Sequence, residues 1–415
     1  MSPYVSAAWL VLATAIAGSC ADGEITFKKI QLTQEFWAEG AHVGDFNHDG
    51  NVDIASGPFW YAGPEFKIRH EIWPAKATFK KGAETIPGFE GAFGANNAYS
   101  DNFLTFTYDF NADGWMDVLV YGWPGTPVAW YENPKNKPGN WERHEVFDVL
   151  DNESPDFVDI TGDGKPEMLC CSRGYLGYAE ADWKNPAGKW TFKAVTPKGN
   201  YERYTHGTGA GDLNKDGRID ILEKDGWWEQ PAAGQADSSV PWKKHPFKFA
   251  EAAAQMLVYD VNGDELPDVI TCVNAHGYGL VWWEQLKEGD GAITFKEHII
   301  LNKDATPNAQ GVSFSQVHAL ALEDIDRDGL KDIVTGKRFW AHGPSGDVDP
   351  NGPAVVYWFK LTRPQPGKAE YVAKLVDNNS GVGTQVTTAI VSNSKYPDIV
   401  VGNKKGAFLL RNQGR

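Results

Sequence analysis

An acid-rich loop with one fixed spacing recurs six times along the chain, each time just before a short apolar strand. The copies begin at Asp45, Asp109, Asp159, Asp212, Asp260 and Asp324, and the first reads DFNHDGNVD. Oxygen-bearing side chains stand at offsets 0, 2, 4 and 8 from the first Asp, usually with Gly at offset 5. A single copy could be an ordinary Asp/Asn/Gly turn. Six copies in register indicate a structural repeat that governs the whole fold.

The spacing of these oxygens is typical of a calcium-binding loop. Alternate oxygens on a tight turn, closed by a carboxylate, form a cage for a hard cation, and Ca²⁺ fits such a cage best. An EF-hand closes later in its loop, with Glu, so a different calcium loop is predicted. We expect up to six structural Ca²⁺ ions. The predicted ligands are Asp45, Asn47, Asp49, Asp53, Asp109, Asn111, Asp113, Asp117, Asp159, Thr161, Asp163, Glu167, Asp212, Asn214, Asp216, Asp220, Asp260, Asn262, Asp264, Asp268, Asp324, Asp326, Asp328 and Asp332.

The charge of the chain agrees with this interpretation. The formal net charge is −16, and the four ligand positions of the six loops hold 19 carboxylates, three in each of five loops and four in the sixth. Six bound Ca²⁺ ions would reduce the net charge from −16 to −4. We therefore read the acidity as metal-binding charge, and neither nucleic acid nor an anionic membrane is an expected partner.

The amino terminus predicts export. An apolar stretch from Val5 to Gly18 is too short to span a bilayer and precedes Ser-Cys-Ala at 19–21. This pattern indicates a secretory signal peptide over residues 1–21 and a secreted or periplasmic protein. Cys20 leaves a lipid anchor open as the alternative. The other cysteines, expected to be buried thiols because their number is odd, are Cys170, Cys171 and Cys272.

Strand patterns between the loops indicate a ring of blades. Each loop is followed by an apolar strand, an aromatic strand and a strand with a recurring basic or His position, which is the four-stranded repeat of a β-propeller. A degenerate seventh unit begins at Ser380 and keeps Asp398 as its loop carboxylate. ITFKKIQLT from Ile25 would supply its missing fourth strand and close the ring without an exposed edge. The prediction is an all-β, seven-bladed β-propeller over residues 22–415.

The pattern resembles the FG-GAP/VCBS repeat family of calcium-binding β-propellers, and the resemblance covers essentially all of the mature chain. It implies the propeller fold and the calcium loops. It says little about function, because this scaffold carries both adhesion modules and enzymes.

A second set of polar residues falls at the opposite end of the inner strands. Six residues before each loop, the strand reaches a point roughly 20 Å from the calcium loops, and the even offset keeps these positions on one side. The residues at this register are Glu39, Phe103, Glu153, His206, Ala254 and His318, with Thr384 in the degenerate blade. Imidazole and carboxylate together suit Zn²⁺, Mn²⁺ or Fe²⁺ and do not suit Ca²⁺.

Segments that leave the second strands reach the same face and bring His276, Lys337, Arg338 and His342. Three long insertions, at 75–101, 301–316 and 343–353, would rim the channel mouth there, as loops that build binding sites often do. The remaining repeated histidines, interpreted as surface or packing residues of outer strands, are His70, His144, His245 and His298.

Some segments are similar to the propeller part of aldos-2-ulose dehydratase and related exported bacterial propellers. They include EGAHVGDFNHDG from Glu39, YTHGTGAGDLNKDG from Tyr204 and SQVHALALEDIDRDG from Ser315. The resemblance implies metal-assisted elimination of water, or of a glycosyl group, from a keto-sugar. It covers the propeller alone, since the chain has no room for the cupin-like part that the dehydratase carries.

The residues at the channel face supply what such an elimination requires. We assign Glu153, His206 and His318 to the metal, and His276 or His342 to the acid or base. Glu39 is a fourth ligand or a base. Lys337 and Arg338 would steady an oxyanion. On this interpretation the protein is a monomeric carbon–oxygen lyase that acts on a small sugar or glycan.

Two other functions stay open at this stage. The first is a noncatalytic, calcium-stabilised module that binds glycan or protein at the same face, with an aromatic rim and no transition metal. The second is a polysaccharide lyase acting on a uronate, which requires a basic groove. The candidates for that groove are few: Arg173, Lys337 and Arg338.

Overall fold

The computed structural model describes residues 24–75, 79–80, 98–232, 240–289, 291–392 and 394–414, and within these ranges the secondary structure is strands, turns and bends. The predicted signal peptide with Cys20 lies outside the described residues, as does most of the insertion at 75–101. No helix in the described ranges is long and apolar enough to cross a membrane.

Seven four-stranded antiparallel sheets form the blades, which confirms the predicted fold class. Blade 1 contains β2 (His42–Gly44), β3 (Asp53–Ser56), β4 (Phe59–Tyr61) and β5 (Arg69–Glu71). Blade 2 contains β8 (Leu104–Tyr108), β9 (Asp117–Tyr121), β10 (Thr126–Glu132) and β11 (Glu142–Leu150). Blade 3 contains β12 (Asp156–Val158), β13 (Glu167–Ser172), β14 (Tyr175–Glu180) and β15 (Thr191–Ala194). Blade 4 contains β16 (Thr208–Gly211), β17 (Asp220–Glu223), β18 (Gly226–Glu229) and β19 (Lys243–Pro246).

The remaining blades follow the same order. Blade 5 contains β20 (Leu257–Tyr259), β21 (Asp268–Cys272), β22 (Leu280–Lys287) and β23 (Ile293–Leu301). Blade 6 contains β24 (Leu320–Glu323), β25 (Asp332–Gly336), β26 (Val356–Gln365) and β27 (Lys368–Asp377). Blade 7 contains β28 (Val386–Ala389), β29 (Asp398–Asn403), β30 (Gly406–Asn412) and β1 (Phe27–Thr33). A separate pair, β6 (Phe79–Lys80) and β7 (Ala98–Tyr99), lies between blades 1 and 2 in the sequence.

The two ends of the chain close the ring. β1 pairs with β30 antiparallel, from Phe27 opposite Asn412 to Thr33 opposite Ala407. This pairing is the predicted one, and it gives the last blade its fourth strand. A propeller closed in this way leaves no unpaired edge at the junction of the termini.

Hydrophobic side chains fill the spaces between neighbouring blades. Between blades 2 and 3, the ring centroid of Phe110 lies 5.2 Å from that of Trp130 and 5.8 Å from that of Trp190. Similar clusters lie at each of the other six interfaces, including the one that joins blade 7 to blade 1. Burial of these faces against each other is the main force that holds the ring together. The three predicted thiols are buried within these layers.

The last carboxylate of each loop also holds its own blade together. Asp53 is buried, and its two oxygens accept hydrogen bonds from the backbone N–H groups of Phe46 (2.9 Å) and Gly63 (2.8 Å). In the degenerate blade, Asp398 accepts equivalent bonds from Val391 (3.1 Å) and Asn412 (2.7 Å). This structural role explains why blade 7 keeps this carboxylate after losing the rest of its loop.

Amide side chains at the ends of third strands latch each blade to the one before it. Asn133 donates to the carbonyl of Phe46 at 2.9 Å, and Gln285 donates to the carbonyl of Leu213 at 2.9 Å. Asn412 repeats the contact between blades 7 and 6. Because these bonds satisfy buried polar groups across the interface, they fix the position of each inner strand around the channel.

Candidate metal centre at the channel mouth

Four polar side chains from blades 3 to 6 converge at the end of the channel opposite the acidic loops. Glu153, His206 and His318 precede the inner strands β12, β16 and β24, and His276 lies in the connection between β21 and β22. Their ligand atoms all lie within 4.8 Å of one another. The six-residue register therefore brings together the three residues assigned to the metal, and it adds a fourth.

The distances between these atoms suit coordination of one ion. The Nε2 atom of His206 lies 2.9 Å from that of His276 and 3.3 Å from that of His318. The Oε2 atom of Glu153 lies 3.2 Å from His318 Nε2 and 3.6 Å from His206 Nε2. Zinc with nitrogen ligands at its usual bond length places tetrahedral neighbours roughly 3.3 Å apart. The spacing of the four atoms matches that value.

The tautomers of the histidines point to the same conclusion. His206 Nδ1 lies 2.7 Å from the carbonyl oxygen of Tyr204, which can only accept, so Nδ1 carries the proton of the neutral ring. The Nε2 atom of His206 then presents a lone pair. It lies within hydrogen-bond distance of two other imidazole nitrogens, and a cation between them removes the repulsion of lone pairs that face each other.

Burial keeps these imidazoles neutral. It lowers the pKa of His276 to about 2 and that of His318 to about 4, and it lowers the pKa of His206 as well. Burial alone would raise the pKa of Glu153, but the hydrogen bond with His318 and the charges of its neighbours hold that pKa below its usual range. Neutral imidazole and ionised carboxylate are the forms that bind metals.

His276 requires a correction to its predicted role. Sequence reasoning made it an acid or base, whereas its Nε2 atom lies inside the ligand group. Gln316 supports this position, because its amide nitrogen donates to the His276 carbonyl at 2.6 Å and its Oε1 lies 3.4 Å from His276 Nδ1. Gln316 was missed, although it stands two residues before His318 in the sequence.

Arg338 and Glu39 form a buried pair beside the four ligands. Arg338 donates to Glu39 Oε2 at 3.1 Å and to Glu153 Oε2 at 3.4 Å. The Oε1 atom of Glu39 is buried and has no hydrogen-bond partner among the described residues. Glu39 is thus the counter-ion of Arg338 and stands outside the four-atom group, so His276, and not Glu39, is the fourth candidate ligand.

His342 lies at the open side of the group. Its ring centroid is 4.6 Å from that of His276, and its side chain is 44% exposed. Asp347 holds the ring, since its Oδ1 lies 3.0 Å from His342 Nδ1 and also accepts the His342 backbone N–H. This arrangement leaves Nε2 of His342 as the atom that can exchange a proton. Asp347 was missed because it is one of several acidic residues in the insertion at 343–353.

Two lysines show how burial changes a role. Lys337 is buried and its ammonium group contacts Ser315 Oγ at 2.7 Å and the carbonyl of Asp349. The predicted oxyanion role of Lys337 is therefore replaced by a structural one, in which it ties the insertion to the blade. Lys404, which sequence reasoning missed, is buried 4.9 Å from the Tyr99 ring centroid, and burial lowers its pKa to about 8.

The six acidic loops share one backbone conformation. Asp45 accepts the N–H groups of Asp49 (3.2 Å) and Gly50 (3.0 Å), and the first Asp of each other loop accepts equivalent bonds. The residue at offset 5 has a positive φ in every loop, 82° at Gly50 and 69° at Glu265. This conformation explains the recurrent glycine. Glu265 is the one departure from it.

The sixth loop differs from the others in its charge. Asp326 adds a fourth carboxylate, and Lys360 forms ion pairs with Asp326 and, at 2.7 Å, with Asp328. At the corresponding position of β22, blade 5 has Glu284. The Lys360 ammonium balances the added carboxylate, and any cation entering this loop has to displace it.

The outer histidines occupy separate, self-contained positions. His245 stacks on Trp227 with ring centroids 3.9 Å apart, and its Nε2 lies 2.7 Å from Glu229 Oε2. His298 repeats this arrangement with a tryptophan and a glutamate of blade 5. The prediction that these are packing residues is confirmed.

Comparison with known proteins identifies the repeat. The FG-GAP-like repeat family matches residues 109–170, 159–223 and 260–335. A search of curated proteins finds no significant match. The narrower resemblance to aldos-2-ulose dehydratase is therefore not confirmed and stays a prediction.

Solved structures with a similar chain path include a lectin from Agrocybe aegerita described as recognising non-reducing terminal N-acetylglucosamine (19% identity, TM-score 0.47, 86% of this chain and 82% of that chain). They also include the V. cholerae biofilm matrix protein Bap1 (10%, 0.47, 94% and 92%) and BBS1N from its complex with ARL6DN (10%, 0.47, 95% and 97%). We draw no conclusion about function from similarity at this level. The repeat matches and the seven four-stranded blades together make this chain a β-propeller of the FG-GAP repeat family.

Proposed function

We propose that the channel mouth binds one divalent transition metal and that the protein is a metal-dependent carbon–oxygen lyase acting on a keto-sugar. One observation carries the proposal. Three imidazole Nε2 atoms and the Glu153 carboxylate, from four different blades, lie within 4.8 Å of one another. A donor set of this composition suits Zn²⁺, Mn²⁺ or Fe²⁺.

The residues around the metal have distinct tasks in an elimination. A bound divalent ion would polarise the sugar carbonyl. His342 Nε2 removes the proton from the carbon next to that carbonyl, and Asp347 holds the ring in the required tautomer. The hydroxyl on the following carbon departs, takes up a proton and leaves as water, so a carbon–carbon double bond forms. Arg338 limits the negative charge at Glu153 and fixes its position.

We also propose that the acidic loops bind structural Ca²⁺ and that the protein acts outside the cytoplasm. The shared loop conformation supports the first point, and two loops have three carboxylates each with oxygens within 4.8 Å of one another: Asp159, Asp163 and Glu167, and Asp324, Asp326 and Asp332. The signal-like stretch at residues 5–18 supports the second. Lys360 makes the sixth loop the weakest of the six calcium sites.

A noncatalytic glycan-binding module is the second candidate. An aromatic cluster beside the channel mouth favours it. Trp123 packs against Tyr99 at 4.4 Å and Tyr204 at 5.7 Å between ring centroids, and Tyr204 is 43% exposed. Aromatic rings that are partly exposed in this way stack against the apolar faces of sugars.

Elemental analysis separates these candidates. The wild-type protein should carry close to one equivalent of zinc, manganese or iron besides calcium. The His206→Ala/His318→Ala double variant should lose that metal and keep its calcium. The matched control is His245→Ala/His298→Ala, which removes two outer-strand histidines and should keep both metals.

Activity is measured next, as the appearance of an ultraviolet-absorbing unsaturated carbonyl product from keto-sugars. The channel double variant should lose all turnover, and the outer control should retain it. Wild-type protein that contains calcium alone would overturn the metal centre. Turnover that persists in the channel double variant would overturn the mechanism.

A further inference from the structure

A polar cavity lies next to the metal centre on the side of blades 3 and 4. Its volume is about 250 Å³, and it is bounded by residues 199–208, which connect the two blades, and by the turn between β17 and β18. His206 forms part of its wall. Because Nε2 of the same ring belongs to the ligand group, the cavity and the metal centre share one side chain.

Glu223 forms a prepared acceptor in this cavity. Its side chain is 8% exposed, and its Oε1 atom accepts from Tyr201 Oη (2.9 Å), Trp228 Nε1 (3.0 Å) and Lys244 Nζ (2.7 Å). All three bonds go to one oxygen. Among the described residues no donor lies on Oε2, so this oxygen can accept a hydrogen bond from a ligand.

The charges of the wall cancel. Lys244 pairs with Glu223, and Lys224 pairs with Asp225, so the cavity presents two cations and two carboxylates. A wall of this kind offers many donors and acceptors but no net attraction for an anion. A ligand rich in hydroxyl groups and without charge fits it best, whereas a uronate carboxylate would meet Glu223 and Asp225 without an unpaired cation.

We propose that this cavity binds a neutral sugar ring joined to the ring that reacts at the metal, so the substrate is a neutral oligosaccharide and not a free monosaccharide or a uronate. The proposal rests on the proposed function for the reacting ring. The cavity is small for a whole ligand, since pockets for drug-sized molecules usually exceed about 300 Å³. A single ring is therefore the occupant that its size and polarity select.

Adjacent lysines of β19 provide a matched test. Lys244 bonds Glu223 in the cavity, whereas Lys243, its neighbour in sequence, bonds Glu229 outside it. Metal-loaded protein is screened on an array of neutral and uronate-containing oligosaccharides, and hits are titrated by calorimetry beside their monosaccharides. We expect neutral oligosaccharides to bind about tenfold tighter than the monosaccharides, the gain of one hydrogen bond to a charged group.

The variants then locate this gain. Lys244→Ala and Asn200→Ala should each remove most of the difference between oligosaccharide and monosaccharide, while Lys243→Ala should keep it. The proposal fails if no neutral oligosaccharide binds, if uronates bind better, or if Lys244→Ala binds like the wild type. A circular dichroism spectrum and the metal content of each variant show that the fold and the centre are intact.

The two proposals fail separately. Oligosaccharide binding that depends on Lys244, without any turnover, would reject the lyase and keep the sugar-binding cavity. Turnover of monosaccharide and oligosaccharide at equal kcat/KM, unaffected by Lys244→Ala, would keep the lyase and reject the cavity.

Discussion

The two ends of the inner strands hold different kinds of polar site. At one end, each acidic loop is formed by nine consecutive residues and its carboxylates bond to the loop's own backbone, as Asp45 does with Asp49 and Gly50. At the other end, the channel centre takes one residue from each of four blades. The first kind of site can be copied with the repeat. The second exists once and depends on the closed ring.

Burial has the same physical effect at both ends. It raises the pKa of Asp117 and Asp332 to about 8 and lowers that of His318 to about 4, because it disfavours the charged form of each group. The consequence differs, since a neutral imidazole is ready to bind a metal and a protonated carboxylate is not. Proton competition is therefore expected at the calcium loops and not at the channel centre near neutral pH.

The largest predicted effect distinguishes the two ends by stability. Removal of calcium should lower the melting temperature far more than loss of the channel metal in His206→Ala/His318→Ala. Each ion bound at a hundred times its Kd adds about 2.7 kcal/mol, so several loops outweigh one centre. Differential scanning calorimetry with and without a calcium chelator measures this. Equal losses would mean that the loops do not bind stabilising calcium.

An intermediate effect concerns pH. In calcium-free protein, the raised pKa values of Asp117, Asp220, Asp268 and Asp332 mean that the folded state takes up protons while the unfolded state does not. Stability should therefore rise as the pH falls from about 8 to about 6.5, above the range where unfolded histidines protonate. Calcium-loaded protein should show a smaller rise, because bound calcium keeps the carboxylates ionised.

Thermal unfolding of dialysed protein across this pH interval, with and without added calcium, tests the prediction. The stabilisation by calcium should shrink as the pH falls. A constant difference between the two series would show that the loop carboxylates stay ionised without metal, against the burial argument.

The smallest predicted effect concerns the local strain in one loop. Glu265 has a φ of 69° where four of the other five loops have φ between 82° and 87° and the sixth has 93°, all at glycine. Glu265→Gly should stabilise the protein by about 0.5–1 kcal/mol, since a left-handed conformation is unfavourable for residues with a Cβ atom. Glu265→Ala removes the charge and keeps the Cβ atom, so it should give no comparable gain. A gain of equal size in both variants would assign the effect to charge.

Sequence reasoning found most of the channel site through the repeat. Glu153, His206 and His318 stand at one offset from their loops, and equivalent offsets in a propeller meet around the axis. The role of His276 was wrong because it lies in a connection after a second strand, where the repeat sets no register. Only its Nε2 distance of 2.9 Å from His206 shows that it joins the ligand group.

The charged residues of the channel were harder to predict for a physical reason. Arg338 and Lys337 are adjacent in sequence, yet Arg338 turns to Glu39 and Glu153 while Lys337 turns to Ser315. Alternation along the chain separates their side chains, and burial then demands a partner for each charge. The partners come from distant positions, so composition and spacing could not identify them.

The sequence by itself determined the number of blades, the closing strand and the acidic loops, because each depends on a local pattern repeated along the chain. Tertiary structure alone decided which imidazoles share an ion, that Asp347 orients His342, and that Glu223 faces a cavity beside His206. These features join residues far apart in sequence, and they form only when the blades pack and the ring closes.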